Sequence, residues 1–246
     1  MLQRADIFDG LPRGYYRAIA VDPPLRFVSY TALQVANWKS RRDVDKHYRT
    51  MSCAEIAELP VGELAAHDAH LFLWATGPNL PKAFELIEAW GFRYSAIAFI
   101  WIKLRPGFDP LQFRLLPLAE SDLHVGLGLT TRHNAEICLL ARRGNARRNS
   151  KAVREVILSP VREHSRKPDE FFRRVEAYCD GPYLELFARE RRAGWDAWGD
   201  EISRFNRSDS GSRPREATDI APADLADPTD PGEMPDIPDF LRRATP

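Results

Sequence analysis

The sequence predicts a doubly wound α/β domain built on a mostly parallel sheet. Three observations carry this reading. Short apolar and β-branched runs alternate with helical patterns along the chain, as in βα units. Several of those runs are apolar on both faces, which a strand covered by helices on each side requires. The chain of 246 residues, 44% hydrophobic and 11% aromatic, can bury a sizeable core.

The first strand is Arg17-Ala18-Ile19-Ala20-Val21, stopped by Pro23-Pro24, whose fixed φ and missing N–H cannot continue a ladder. Further strands are expected at 69–75, 96–102, 135–141, 154–158 and 183–188. A helix should begin at Ser52, because Glu55 three residues later completes a capping box. Residues 80–90 place Leu80, Phe84, Ile87 and Trp90 on one face and end at Gly91. A third helix begins at Pro168 and runs through Phe171, Phe172 and Val175 to Cys179. Residues 26–50 and 103–134 read as long loops, and loops of that length are commonly functional.

Composition narrows the setting. Cys53, Cys138 and Cys179 lie far apart, with neither a disulfide framework nor a zinc spacing, which suits free thiols in a reducing cytoplasm. No run approaches the ~18 apolar residues of a membrane span, and no signal-peptide layout is present, so a soluble, cytoplasmic protein is expected. The formal charge is zero but unevenly spread: from Asn206 onward, five arginines stand against nine acidic residues, with seven of the 19 prolines. The expected division is therefore a folded domain over 1–205 and an acidic, proline-rich disordered tail over 206–246. Basic residues cluster twice, at Lys39, Arg41, Arg42, Lys46 and Arg49 with Trp38 and Tyr48, and again over Arg142–Arg154. The first cluster suits a nucleic-acid backbone and a stacked base, or a solvated loop. His67 and His70 read as surface residues ahead of a strand.

Asp22 is the first candidate for chemistry. The residue before a proline is pushed to extended geometry, which holds Asp22 at a strand's carboxyl end, where open α/β sheets bind ligands. One carboxylate and a proline carbonyl can accept the two hydrogens of an exocyclic NH2; an ordinary strand-ending turn is the alternative. Strand-Asp-Pro-Pro-aromatic is the signature of enzymes that methylate such amines, and here Leu25 stands in the aromatic position. Lys167, beside the helix start at Pro168, either holds a ligand carboxylate or is a solvated helix end. Glu185, inside an apolar strand, needs partners: two ribose hydroxyls or Arg189 would serve. Residues 189–200 form either a nucleoside pocket wall or a capping loop.

In order along the chain, Ala20-Val21-Asp22-Pro23-Pro24, His47-Tyr48-Arg49-Thr50-Met51-Ser52, Leu71-Phe72-Leu73-Trp74-Ala75-Thr76, Trp90-Gly91-Phe92, Thr131–Glu136, Arg162–Glu170 and Glu185–Gly199 are matched. This arrangement resembles the adenine-N(6) methyltransferases of the mRNA m6A-writer family, in its bacterial and phage branch. The resemblance covers about residues 5–202 and implies a methyltransferase fold with permuted motif order, using S-adenosylmethionine and no metal. By that resemblance Asp22, Pro23 and Pro24 are catalytic, with Leu25, Tyr48 and Arg49 near the target base. Asp6 and Ile7 match the pair whose main chain reads the cofactor adenine, and Lys167 matches the lysine on its carboxylate. Glu185, Arg189 and Arg192 match positions near its ribose, while Asp200 and Glu201 stand where the family has Asn-Gln or Asn-Glu. The implied substrate is adenine in nucleic acid, DNA ahead of RNA, taken by a monomer or loose homodimer, with or without a partner subunit. A catalytically degenerate binding subunit is the competing expectation, motivated by Leu25.

Overall fold

A computed structural model describes residues 7–25, 50–109, 118–126, 131–163, 166–200 and 202. Strands β1 (Tyr16–Val21), β2 (Ala65–Ala75), β3 (Arg93–Leu104), β4 (Ala135–Arg143), β5 (Val156–Pro160), β6 (Tyr183–Leu186) and β7 (Trp195–Trp198) form one sheet. Its order is β5-β3-β4-β2-β1-β6-β7. Helices α1 (Cys53–Ala57), α2 (Val61–Leu64), α3 (Leu80–Ala89) and α4 (Asp169–Tyr178) pack on it.

Both faces of the sheet are covered, so the fold is doubly wound. One face buries Ile19, Val21, Leu71, Leu73, Leu139 and Leu184 against α1, α2 and α3. The other buries Ala18, Ala20, Phe72, Trp74, Cys138 and Ile157 against Phe171, Phe172 and Val175 of α4. The period-2 alternation of side chains divides each strand between these two cores. The Ser52 capping box forms as expected: the Ser52 hydroxyl accepts from the Glu55 amide at 3.2 Å, and Glu55 accepts from the Ser52 amide at 2.7 Å. Four residue types at α3 make its buried face: Ala83, Leu86, Ile87 and the capping Trp90. Phe84, expected on that face, sits at its margin and packs edge-on against Tyr94. Trp90 donates to the Ile56 carbonyl at 3.3 Å and ties α3 to α1.

Three further features differ from expectation. Strand β4 runs antiparallel to both neighbours, β2 and β3, while the pairs β1–β2, β1–β6, β3–β5 and β6–β7 are parallel. No helix is described between β3 and β4, and a chain that returns without a crossover pairs antiparallel. A seventh strand, β7, lies within the stretch read as a pocket wall or capping loop; with only four residues it carries too little pattern to see in sequence. His70 is not a surface residue: β2 starts early, at Ala65, and His70 lies inside it at 3% exposure, whereas His67 is exposed. The expected loop over 26–49 and the expected tail over 206–246 lie outside the described residues. No helix among the described residues is long and apolar enough to cross a membrane.

Candidate active site

The carboxyl ends of the parallel strands converge on one row of side chains, on the face covered by α4. Asp22 follows β1, Trp74 closes β2, Glu185 sits in β6, and Lys167 precedes α4. Because β4 is reversed, its beginning rather than its end reaches the row, and it brings Glu136.

Lys167 is the hub. Its Nζ lies 2.7 Å from Asp22 Oδ2 and 3.2 Å from Glu136 Oε2, with the ammonium 5.3 Å from the centre of the Trp74 ring. Its carbonyl accepts from Arg162 at 2.8 Å, which fixes the approach to α4. Lys103 completes the row: it donates to Glu136 Oε1 and lies 5.0 Å from the Trp101 ring centre. Burial alone would pull the Lys167 ammonium down, but Asp22 and Glu136 outweigh it and raise its pKa. Burial would likewise lift the Glu136 carboxyl, yet Lys167 and Lys103 hold it down at about 2. Glu136 lies within the matched Thr131–Glu136 stretch, but no sequence signal marks it for the site. Only the reversal of β4 does.

The Asp-Pro-Pro turn is rigid. Pro23 O accepts the Leu25 amide at 2.7 Å, and Pro24 O accepts the Met51 amide at 2.9 Å, anchoring the turn to the start of α1. A carbonyl has two lone pairs, so Pro23 O retains capacity for one more donor. Leu25 bridges to Met51 and packs against the core on the α1–α3 side.

Asp22, Lys167 and Glu185 line one cleft together with Arg166, Phe172, Phe187, Arg189 and Glu190. Burial pushes the Glu185 carboxyl up to about 8; Asp22 and Glu190 add to this, while Arg192 and Lys167 oppose it. Phe187 adopts φ 59°, a left-handed conformation that a bulky residue rarely takes and that gathers at functional sites. Beside it a Cβ on Gly199 would come within 2.6 Å of the Ala188 carbonyl, so only glycine lets β7 close against this turn. The rim is a chain of alternating charge. Glu190 takes Arg166 at 2.8 Å and Arg192 at 2.9 Å, and Asp169 takes Arg192 at 2.8 Å and Arg162 at 2.9 Å.

The structure thus brings Asp22, Lys167, Glu185 and Arg189 together, as the resemblance implies. Arg192 is placed differently: it stacks 4.0 Å over Phe172 behind the cleft wall and joins α4 to the β6–β7 turn. Ile7 reaches the end of β7, where its carbonyl accepts from Trp198 Nε1 at 2.9 Å, close in sequence to Asp200. Asp6, Tyr48, Arg49 and Glu201 lie outside the described residues.

Comparison with known proteins follows the same residues. The MT-A70 family model matches residues 16–201, which spans every element of the sheet. The chain belongs to the MT-A70 methyltransferase family. It is similar to the type II methyltransferase M.MunI from Mycoplasma sp., 29% identical over 210 residues, covering 80% of this chain and 82% of that one. A putative N(6)-adenosine-methyltransferase MT-A70-like protein of Medicago truncatula is 34% identical over 171 residues, 68% of this chain but 26% of its own. An N6-methyladenosine RNA methyltransferase, MTA1, of Cryphonectria parasitica is 29% identical over 183 residues, 69% of this chain and 49% of its own. In this MT-A70 chain the Asp-Pro-Pro turn and Lys167, 145 residues apart, meet at one point.

Proposed function

We propose that this chain transfers a methyl group from S-adenosylmethionine to the exocyclic N(6) amine of adenine in DNA, acting in the cytoplasm. The observation that carries the reading is the contact of Lys167 with Asp22: the cation suited to an amino-acid carboxylate touches the carboxylate suited to an amine.

The cleft suits such a cofactor. A buried ammonium, a buried carboxyl group at Glu185 and the carboxylate of Asp22 match the carboxylate, hydroxyls and cationic centre of an amino-acid nucleoside sulfonium. When bound, that group supplies an electrophilic methyl. Lys167 would hold its carboxylate and Glu185 its ribose, with Arg189 at the same wall. Asp22 and Pro23 O would accept the two hydrogens of the adenine amine, drawing its lone pair out of the ring and stabilising charge that develops on nitrogen. Alignment supplies the rest, an effect that reaches ~7–11 kcal/mol in ideal cases. Because one ammonium serves both groups, capture of a donor carboxylate by Lys167 and release of Asp22 toward the amine are coupled. A stacked adenine must be flipped out or presented single-stranded, and the basic segment with Tyr48 and Arg49 is the candidate to receive it.

DNA is favoured because the type II methyltransferase from Mycoplasma matches along most of both chains, whereas the adenosine and RNA enzymes match over about a half or less of their own length. RNA is the second reading, favoured by the Cryphonectria relative. Mass spectrometry of nucleosides from DNA and RNA incubated with the purified chain and labelled cofactor decides between them. N(6)-methyldeoxyadenosine is expected; label confined to RNA, or found on cytosine, would overturn the substrate. A chain inert on both, with activity restored by Leu25→Trp, would instead identify a degenerate subunit.

A further inference from the structure

At the opposite end of the sheet, the second basic cluster finds a structural setting that methyl transfer does not use. The strand register sets Arg93 opposite Arg142, and Arg142 opposite His70, so three basic side chains share one face. Like charges placed directly across strands repel, and nothing in the core calls for this arrangement. Around the corner, Arg17, Asp68, His70, Arg147 and Asp180 line a small cleft. Both of its carboxylates are already engaged: Asp68 accepts the Asn145 amide at 2.8 Å, and Asp180 accepts Asn149 Nδ2 at 2.6 Å. Among the described residues, Arg142 and Arg147 enter no ion pair. His70 is 3% exposed, packed edge-on against Tyr178, and its Nε2 is buried without a hydrogen-bond partner. A buried polar atom left unpaired is costly, so a group that supplies its partner has something to gain there.

We propose that this cleft binds a phosphate group, held by the guanidinium groups of Arg17 and Arg147 and by the His70 imidazole. Guanidinium forks match phosphate oxygens in charge and in geometry, and an Nε2–H tautomer of His70 supplies a further donor. The cationic row behind it, Arg142 and Arg93, adds long-range attraction. The phosphate source is either a nucleic-acid backbone or a free phosphate. The cleft stands apart from the methyl-transfer site: Arg17 and Asp22 mark opposite ends of β1, roughly 16 Å apart at the rise of a strand. Its failure would leave the methyl-transfer reading untouched.

The test is histidine-ring NMR on the full chain, with His70 assigned by the signal lost in His70→Phe, a change that keeps the packing against Tyr178. Titration with inorganic phosphate should move the His70 signal saturably, while chloride at matched ionic strength should not. In Arg147→Gln, and separately in Arg17→Gln, the apparent affinity should fall about ten-fold, the loss expected for one charge-assisted contact. A short single-stranded deoxyoligonucleotide that moves the same signal, in competition with phosphate, identifies a backbone as the source. A response to inorganic phosphate alone identifies a free anion. A His70 signal indifferent to both, one that follows ionic strength only, or one unchanged in both arginine variants would overturn the site.

Discussion

Two carboxyl groups in one cleft carry opposite electrostatic assignments. Asp22 is paired with a buried ammonium at 2.7 Å, whereas Glu185 is buried among groups that together leave it protonated near neutrality. Asp22→Asn keeps the shape of the turn but removes the carboxylate that would accept the amine. Methyl transfer should fall by at least ~10²-fold with the circular dichroism spectrum unchanged, comparable to loss of one preorganised transition-state contact. Activity within a few-fold of wild type would remove Asp22 from the chemistry. For Glu185 the folded pKa, about 8, lies above the ordinary 4.5, so between these values the folded protein holds a proton that the unfolded chain has lost. Stability from this group is therefore present at low pH and declines as pH rises through that window. Thermal unfolding of the ligand-free protein should show this decline in wild type and not in Glu185→Gln, with the gap between the two widening toward pH 8. A gap that stays constant would mean that Glu185 is ionised throughout.

At the scale of elements, α1 is short yet holds the catalytic turn. Its capping box satisfies two amides at once, and the adjacent Met51 amide bonds Pro24 O. Ser52→Ala removes the hydroxyl half of the box. The expected cost is about 1 kcal/mol, the usual value for a lost N-cap. In a domain of this size that lowers the unfolding midpoint by ~2–4 °C. Since the box and the turn share a segment, KM for nucleic acid should rise while kcat stays within a few-fold, which steady-state methylation assays would read. An unchanged KM would mean that the Pro24–Met51 bond alone positions the turn. The ion-pair chain at the cleft rim works at the same scale: Arg192 and Arg166 meet at Glu190 and tie α4 to the β6–β7 turn, so two elements distant in sequence form one wall.

For the whole molecule, every strand and both cores lie within residues 1–205, and the family match ends at residue 201. A chain cut after Phe205 should therefore fold with the same unfolding midpoint and retain S-adenosylmethionine binding by calorimetry. Loss of cooperative unfolding would show that the acidic segment is part of the fold. A changed affinity for nucleic acid, with folding intact, would instead assign that segment to substrate binding.

By itself the sequence determined the elements with strong local signals. The β1 strand and its Asp-Pro-Pro stop, the Ser52 capping box, and the α4 start beside Lys167 were all legible, because proline, caps and periodicity act within a few residues. The family order of motifs named the partners of the cleft before any geometry did. Tertiary structure alone decided the rest. It reversed β4, and so delivered Glu136 to Lys167. It added β7, whose four residues are held by pairing with β6 rather than by their own pattern. It buried His70, since the length of β2 depends on its neighbours, and it moved Arg192 from the cleft into the wall behind it. Each of these turns on pairing between residues far apart in the chain, and that energy is absent from any local stretch of sequence.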